Sequence, residues 1–493
     1  MRAALLIGAA WAIAWTAAAQ QPFDLDTTFR TVIDQQYIGS VLPLDDGDVI
    51  ISGQFKFPGD TYWRGGARLN SDGSRDTDFA EVAFMGGKIT PWNGRMYVGN
   101  GSIVRRCWLD GSLDTDFILM NSGPYFLSLQ GGDYYVYPDG RVLMCGLHHL
   151  NDTIRGFVGS YTLIWFSDQG YLDTTRTHRQ CNGIIYSIHP LPDGKFICSG
   201  FMTQYDGQPA NGVIRIQPNG DLDTTFHTEV NWGWPFAFHL QDDGKLLCAG
   251  SFKWGSDPDT LSLVRLLPNG DLDPTFNNHV QTLFTVDNDP TYAPVSDILP
   301  LGNDRWIITG SFDRVEGAPR GGIALIDTAG NLSNDGFTGN GCGLFWNGFE
   351  WKGSIRKIVP APDGSFYVHG GYHGYDDGTT NDTLQRMVSR LYGLDVGVQE
   401  QGAMPSAHAA GGLTIHPNPA SSWVGMDYDL ASAPDQAFIR VRDLVGRVIF
   451  QADLPARPQQ VLWDSRSVPS GVYSVELWNK GYILLTQKLV IQQ

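Results

Sequence analysis

The chain has 493 residues, enough for several ordinary domains or for one large repeat array with an appendage. Its 52 acidic and 34 basic residues leave a formal charge of −18, which argues against nucleic acid as a partner, because phosphate binding needs clustered Lys and Arg. The six cysteines form neither a small-scaffold disulfide framework nor a CxxC metal motif.

Met1-Arg2 and the apolar run from Ala3 to Ala19, with small residues at Ala17 and Ala19, predict a secretory signal peptide over residues 1–19. A membrane anchor is the weaker alternative, because the run is short for a span and no stop-transfer charge follows. No later stretch is apolar enough to cross a bilayer, so no transmembrane anchor is expected.

A repeat follows. Its clearest copies are Leu191-Pro192-Asp193-Gly194-Lys195 to Gly200-Phe201, continued by Val213 to Phe226, and Asp243 to Phe252, continued by Leu263 to Phe276. The glycine closing the first apolar run recurs as Gly53, Gly99, Gly146, Gly200, Gly250, Gly310 and Gly370, about 46 to 60 residues apart, which is propeller-blade spacing. Asp-Gly and Pro-Asn-Gly turns between short runs of Val, Ile, Leu, Phe and Tyr read as hairpins. A leading run and a trailing LDTTF bring each unit to four predicted strands. The mature chain opens on Leu25-Asp26-Thr27-Thr28-Phe29, the end of a unit without its beginning, while the seventh unit stops after Arg390-Leu391. A ring whose last blade is completed by the first strand explains both, where an open solenoid would leave two ragged edges.

These units resemble the delta-60 repeat family over about Gln21 to Asp395, through the Pro192–Lys195 turn, the Gly200-Phe201 and Gly310-Ser311-Phe312 closes, and LDTTF. The resemblance implies a β-propeller in an exported setting and no established chemistry. Units two, three and six depart from the pattern at Asn93-Gly94, at Leu172-Asp173-Thr174-Thr175-Arg176 and at Leu332-Ser333-Asn334. The expected fold is all-β: a seven-bladed propeller over residues 20–395, a Gly/Ala/Gln/Ser linker over 396–411, and a small Ig-like β-sandwich over 412–493.

The last segment carries Pro417-Asn418-Pro419, then Asp443, Gly446 and Arg447, then Gly471 and Tyr473, and finally Lys488 in a terminal apolar run. In that order these motifs resemble the C-terminal sorting domain of the type IX secretion system of Bacteroidetes. The resemblance implies the type IX machinery as partner, passage through the periplasm, and release or attachment at the outer-membrane surface. A carbohydrate-binding or fibronectin-like sandwich is the plainer alternative.

Arginine recurs five residues before the second turn glycine, at Arg68, Arg106, Arg215, Arg265 and, by register alone, Arg390, and aspartate three residues after it, at Asp76, Asp114, Asp173, Asp223 and Asp273. A repeated pair of this kind reads as blade-building across a hairpin rather than as a site. Cys198 and Cys248 occupy equivalent apolar positions and read as buried thiols, with Cys107, Cys145, Cys181 and Cys342 open. Asn70 to Asp76 faintly resembles a calcium loop but lacks the downstream glutamate. His148-His149, and His369 and His373 with Tyr372, Tyr375, Asp376 and Asp377 nearby, are the notable polar concentrations. No nucleophile elbow or acid pair stands out, and no metal or cofactor is expected. The aromatics outside the repeat are Trp232, Trp234 and Phe236 between units four and five, and Phe345, Trp346, Phe349 and Trp351 in an insertion before unit seven; Trp232, Trp234, Trp346 and Trp351 are the candidate ligand-binding residues, with blade packing as the alternative use. The expected function is an exported binding or scaffold module for a glycan or surface protein. A secreted polysaccharide hydrolase or lyase and a self-associating surface layer are the alternatives.

Overall fold

The computed structural model describes residues 21–80, 85–99, 102–118, 124–286, 289–301, 305–333, 337, 339–346, 350–394, 411–430, 437–443, 447–454, 460–479 and 482–492. The segment read as a signal peptide, nearly all of the segment read as a linker, Phe349 and Gly446 lie outside these residues. Among the described residues every regular element is a strand. The chain divides into two compact units, residues 1–398 and 399–493.

In the first unit seven antiparallel meanders follow one another. Sheet 1 is Asp34–Pro43, Val49–Lys56 and Arg64–Leu69; sheet 2 is Lys88–Trp92, Arg95–Gly99 and Val104–Trp108. Sheet 3 is Phe126–Val136, Val142–Asp152 and Phe157–Phe166; sheet 4 is Ile184–Pro190, Phe196–Phe201 and Val213–Ile216. Sheet 5 is Val230–Leu240, Leu246–Trp254 and Leu261–Leu266; sheet 6 is Val295–Pro300, Trp306–Gly310 and Ile323–Ile326. Sheet 7 is Ser354–Pro360, Phe366–Asp376 and Asn381–Leu391.

The recurring glycine has a steric cause. In sheet 4 the first strand bulges between Ile185 and Ser187, opposite Gly200. A Cβ on Gly200 would stand 2.0 Å from the Ile184 carbonyl oxygen, and one on Gly370 would stand 2.1 Å from that of Ser354. Only glycine lets the bulged strand approach so closely.

The expected fourth strand is present as one bridged residue per unit, as at Ile216 with Leu222 and at Leu266 with Leu272. It goes no further because Asp223 bends the chain, its Oδ1 accepting from the Thr225 backbone N–H at 3.1 Å and hydroxyl at 2.6 Å. In the seventh unit the equivalent bridge joins Leu391 to Leu25. Asp26 N–H donates to the Arg390 carbonyl at 2.9 Å, and Tyr392 N–H to that of Asp24 at 2.9 Å.

Apolar side chains are buried between consecutive sheets. Ile197 and Val213 of sheet 4 pack with Phe238 and Cys248 of sheet 5, and Leu247 and Leu263 of sheet 5 pack with Ile298 and Ile308 of sheet 6. The same arrangement joins sheet 7 to sheet 1, through Tyr367, Met387 and Val388 against Ile38, Val49 and Ile51. The residue before the closing glycine reaches the next sheet. Ser199 Oγ donates to the Pro235 carbonyl at 2.5 Å, Thr309 Oγ1 to that of Arg356 at 3.3 Å, and His369 Nδ1 lies 3.0 Å from that of Ile38.

The arginine–aspartate pairs meet. Arg106 Nε is 2.6 Å from Asp114, Arg215 Nε 2.8 Å from Asp223, and Arg265 Nε 2.8 Å from Asp273. Each arginine also ties its sheet to the next, Arg215 donating to the Pro268 carbonyl at 3.0 Å and Arg265 to that of Thr328 at 2.8 Å. Each lies over the phenylalanine that ends the LDTDF, LDTTF or LDPTF segment, Phe117 at 5.2 Å, Phe226 at 4.9 Å and Phe276 at 4.8 Å. Unit three keeps the device with its parts exchanged. Trp165 stands where the arginine was expected and Arg176 where the phenylalanine was; Arg176 lies over Trp165 at 5.8 Å, 3.9 Å from Asp173, and donates to the Pro218 carbonyl at 2.9 Å.

The second unit packs two antiparallel sheets on one core. One sheet holds Gly411–His416, Trp423–Leu430 and Gln460–Asp464; the other holds Val448–Asp453, Phe438–Asp443, Gly471–Asn479 and Tyr482–Ile491, adjacent in that order. Leu413, Val424 and Trp463 from one meet Ile439, Val475 and Leu489 from the other.

Candidate functional site

The four tryptophans lie where first strands begin, at the end of the sheets that also carries the links between second and third strands. Trp232 and Trp234 open the first strand of sheet 5. The Trp232 ring is 55% exposed, whereas Trp234 is half-buried and stacks on Tyr186 of sheet 4, with centroids 4.3 Å apart at 17°. Trp234 is thus in part a packing residue between sheets. Trp346 and Trp351 form the inner pair of a short two-stranded sheet ahead of sheet 7, 51% and 59% exposed, with ring centroids 5.9 Å apart at 64°. No described contact joins the two tryptophan pairs.

The same two-stranded sheet walls a cavity of about 400 Å³. Phe345 and Lys352 come from that short sheet, Ser354, Arg356, Gly370 and Gly371 from sheet 7, Gln36, Tyr37 and Ile38 from sheet 1, and Ser296 and Ser311 from in and beside sheet 6. Phe345 is held in place by burial and by stacking on His373, with centroids 4.9 Å apart at 27°. Among the described residues no aspartate or glutamate lines the cavity. Sequence reasoning named the tryptophans beside it and Phe345 among its aromatics, but proposed none of the other lining residues for ligand binding. The available signal was the insertion between units six and seven, which carries Phe345 and Lys352.

The histidines do not converge. His148 is buried in sheet 3, its ring nitrogens 3.1 Å from Ser128 Oγ and 3.1 Å from the Cys145 carbonyl, and burial lowers its pKa to about 4. His369 is buried in sheet 7, where burial drives its pKa to about 3; the neutral ring donates through Nδ1 to Ile38. Asp376 and Asp377 are engaged in structure, Asp376 Oδ2 accepting from the Asn340 amide at 2.6 Å and Asp377 Oδ2 from Leu25 N–H at 2.6 Å. Asp257, Asp259 and His279 bring one ligand atom each within 4.8 Å of one another at sheet 5, but the Asp257 carboxylate already caps the turn through Asp259 N–H. All six thiols are free, and burial raises the pKa of Cys198 and Cys248.

In the second unit Asn418 clamps the final strand, its amide donating to the Lys488 carbonyl at 2.7 Å and its Oδ1 accepting from Val490 N–H at 2.8 Å. Pro417 and Pro419 flank it on the surface, and the Lys488 side chain is exposed. Arg447 closes the turn after Asp443, its backbone N–H 2.8 Å and its Nε 3.0 Å from the carboxylate. Tyr473, two residues into the strand that Gly471 opens, donates its hydroxyl to the Pro469 carbonyl at 2.7 Å.

Two family models match parts of the chain. Residues 191–226 and 241–276 match a domain of unknown function (DUF5122) beta-propeller, and residues 414–492 match a secretion system C-terminal sorting domain. No curated protein matches the chain. Among solved structures, a protein of unknown function from Bacteroides caccae is 16% identical, covering 58% of this chain and 91% of its own at a TM-score of 0.33. A second protein of unknown function, from Bacteroides thetaiotaomicron, is 10% identical, covering 76% of this chain and 74% of its own at a TM-score of 0.33. The chain therefore carries β-propeller repeats and a type IX sorting module, which implies handling by the type IX machinery and export to the surface or the medium. Among the described residues no helix is long and apolar enough to cross a membrane.

Proposed function

We propose that the chain is an exported seven-bladed propeller that binds glycan at one mouth, with an Ig-like C-terminal module serving as its address. Ring closure is supported by the apolar core that sheets 7 and 1 share, as the other consecutive sheets do, and by the N-terminal segment completing the seventh unit through the Leu25–Leu391 bridge and Arg390 3.4 Å from Asp26. The signal peptide over residues 1–19 would open the route through the periplasm. The observation that carries the binding reading is the cavity of about 400 Å³, lined by hydroxyl, amide and cationic groups beside the exposed Trp346–Trp351 pair. Sugar rings bind where polar groups meet their hydroxyls and aromatic faces cover their apolar sides.

Hydrolysis at this cavity is the poorer reading, because glycosidases of the usual kind place two carboxyl groups across the scissile bond and among the described residues none lines it. The test is a glycan array probed with the purified protein and with a Trp346→Ala/Trp351→Ala variant. Retention by the former and its loss in the latter supports the reading; binding untouched by the double substitution overturns it.

A further inference from the structure

We infer that the cavity where sheets 6, 7 and 1 meet selects an anionic sugar, a carboxylated or sulfated unit of an acidic polysaccharide. This rests on the glycan-binding reading and adds the charge of the ligand.

The chain carries a net charge of −18, yet among the described residues the cavity is lined by two cations and no carboxylate. Most charged groups near the first strands are neutralised in pairs, as Lys357 is by Asp297 at 3.4 Å and Lys88 by Asp133 at 3.1 Å. Lys352 is held only by Glu350, 2.9 Å away with both side chains more than half exposed, an arrangement that contributes little. The Arg356 guanidinium donates to no described residue. Neighbouring His369, kept neutral first by burial and further by the fields of Arg356 and Lys357, does not add to the positive charge.

Other polar groups without a described partner line the same cavity. The hydroxyls of Ser296, Ser311 and Ser354 are half-buried and form no hydrogen bond with any described residue. Elsewhere in this protein half-buried or buried hydroxyls are used, as Ser199 and Thr309 are between sheets. Three free hydroxyls and a free guanidinium in one cavity form a donor set for a charged oxygen acceptor with hydroxyl neighbours. Charge-assisted bonds from the arginine would supply the preference for an acid over its neutral counterpart.

The experiment is calorimetric titration of the full protein with trigalacturonate, a sulfated trigalactose and neutral trigalactose. One acid, or both, should bind about tenfold more tightly than the neutral sugar, the size of one charge-assisted hydrogen bond. Arg356→Ala should abolish that preference with melting unchanged, and Arg356→Lys should restore part of it. Equal binding of acidic and neutral sugars, or a preference unmoved by Arg356→Ala, overturns the inference while the glycan reading stands. Failure of all three sugars together with an empty glycan array overturns both.

Discussion

Replacing Arg265 with alanine tests what the repeated arginine does. Its side chain is 8% exposed and that of Asp273 is 2% exposed, so the substitution strands a buried carboxylate. Breaking a buried pair costs about 3–5 kcal/mol. Lys245 remains 3.2 Å from Asp273 and Thr275 still donates to it, which places the loss near the lower end, about 3 kcal/mol. For a unit of this size that corresponds to a fall in Tm of about 4 °C in calorimetry. Burial alone would raise the pKa of Asp273, but hydrogen bonds from Thr275, Lys245 and Arg265 outweigh it and hold the carboxyl well below its usual range. The stabilisation is therefore complete above about pH 4 and is lost as pH falls toward the depressed folded value. Arg265→Ala should lose less stability over that acid window than the unmodified protein. The double variant with Asp273→Ala should cost less than the sum of the single ones. An unchanged Tm or strict additivity would refute the pairing.

Other expectations follow from the same contacts. Gly200→Ala drives a Cβ to 2.0 Å from a backbone carbonyl and should cost more than about 3 kcal/mol in urea unfolding, whereas Gly207→Ala, with nothing within 4 Å, should cost about 1 kcal/mol of backbone strain. Asn418→Ala removes both bonds to the final strand on an exposed surface and should lower the stability of the sorting module by about 1 kcal/mol, with less protein reaching the medium by immunoblot. Exchanging the unit-three parts back, by Trp165→Arg with Arg176→Phe, should restore most of the stability lost in either single variant. A double variant no better than the worse single one would show that the two positions do not exchange roles.

The repeat was legible because its causes are local. The closing glycine answers a bulge in the strand beside it, and the arginine and aspartate face each other across one hairpin. Leu25 to Phe29 was legible as displaced because the seventh unit lacked that segment. Trp165 and Arg176 looked like departures, since a residue-by-residue comparison does not see that two positions have exchanged partners. Trp234 looked available for ligand, but its partner Tyr186 lies one sheet earlier. The cavity was not legible, for it draws on Gln36, Ser296 and Arg356, residues brought together only when the last sheet meets the first. No local pattern marks an unengaged serine as different from an engaged one.

That meeting of last and first sheets is what assembles the cavity, and hydrogen exchange of the N-terminal segment measures it without altering the protein. The amides of Phe23, Leu25 and Asp26 donate respectively to the Tyr392 carbonyl, the Asp377 carboxylate and the Arg390 carbonyl. Closure predicts that a peptide covering residues 22–29 exchanges as slowly as the second strand of sheet 7. Exchange of that peptide at the rate of an unpaired chain end, with sheet 7 still protected, would contradict the closed ring.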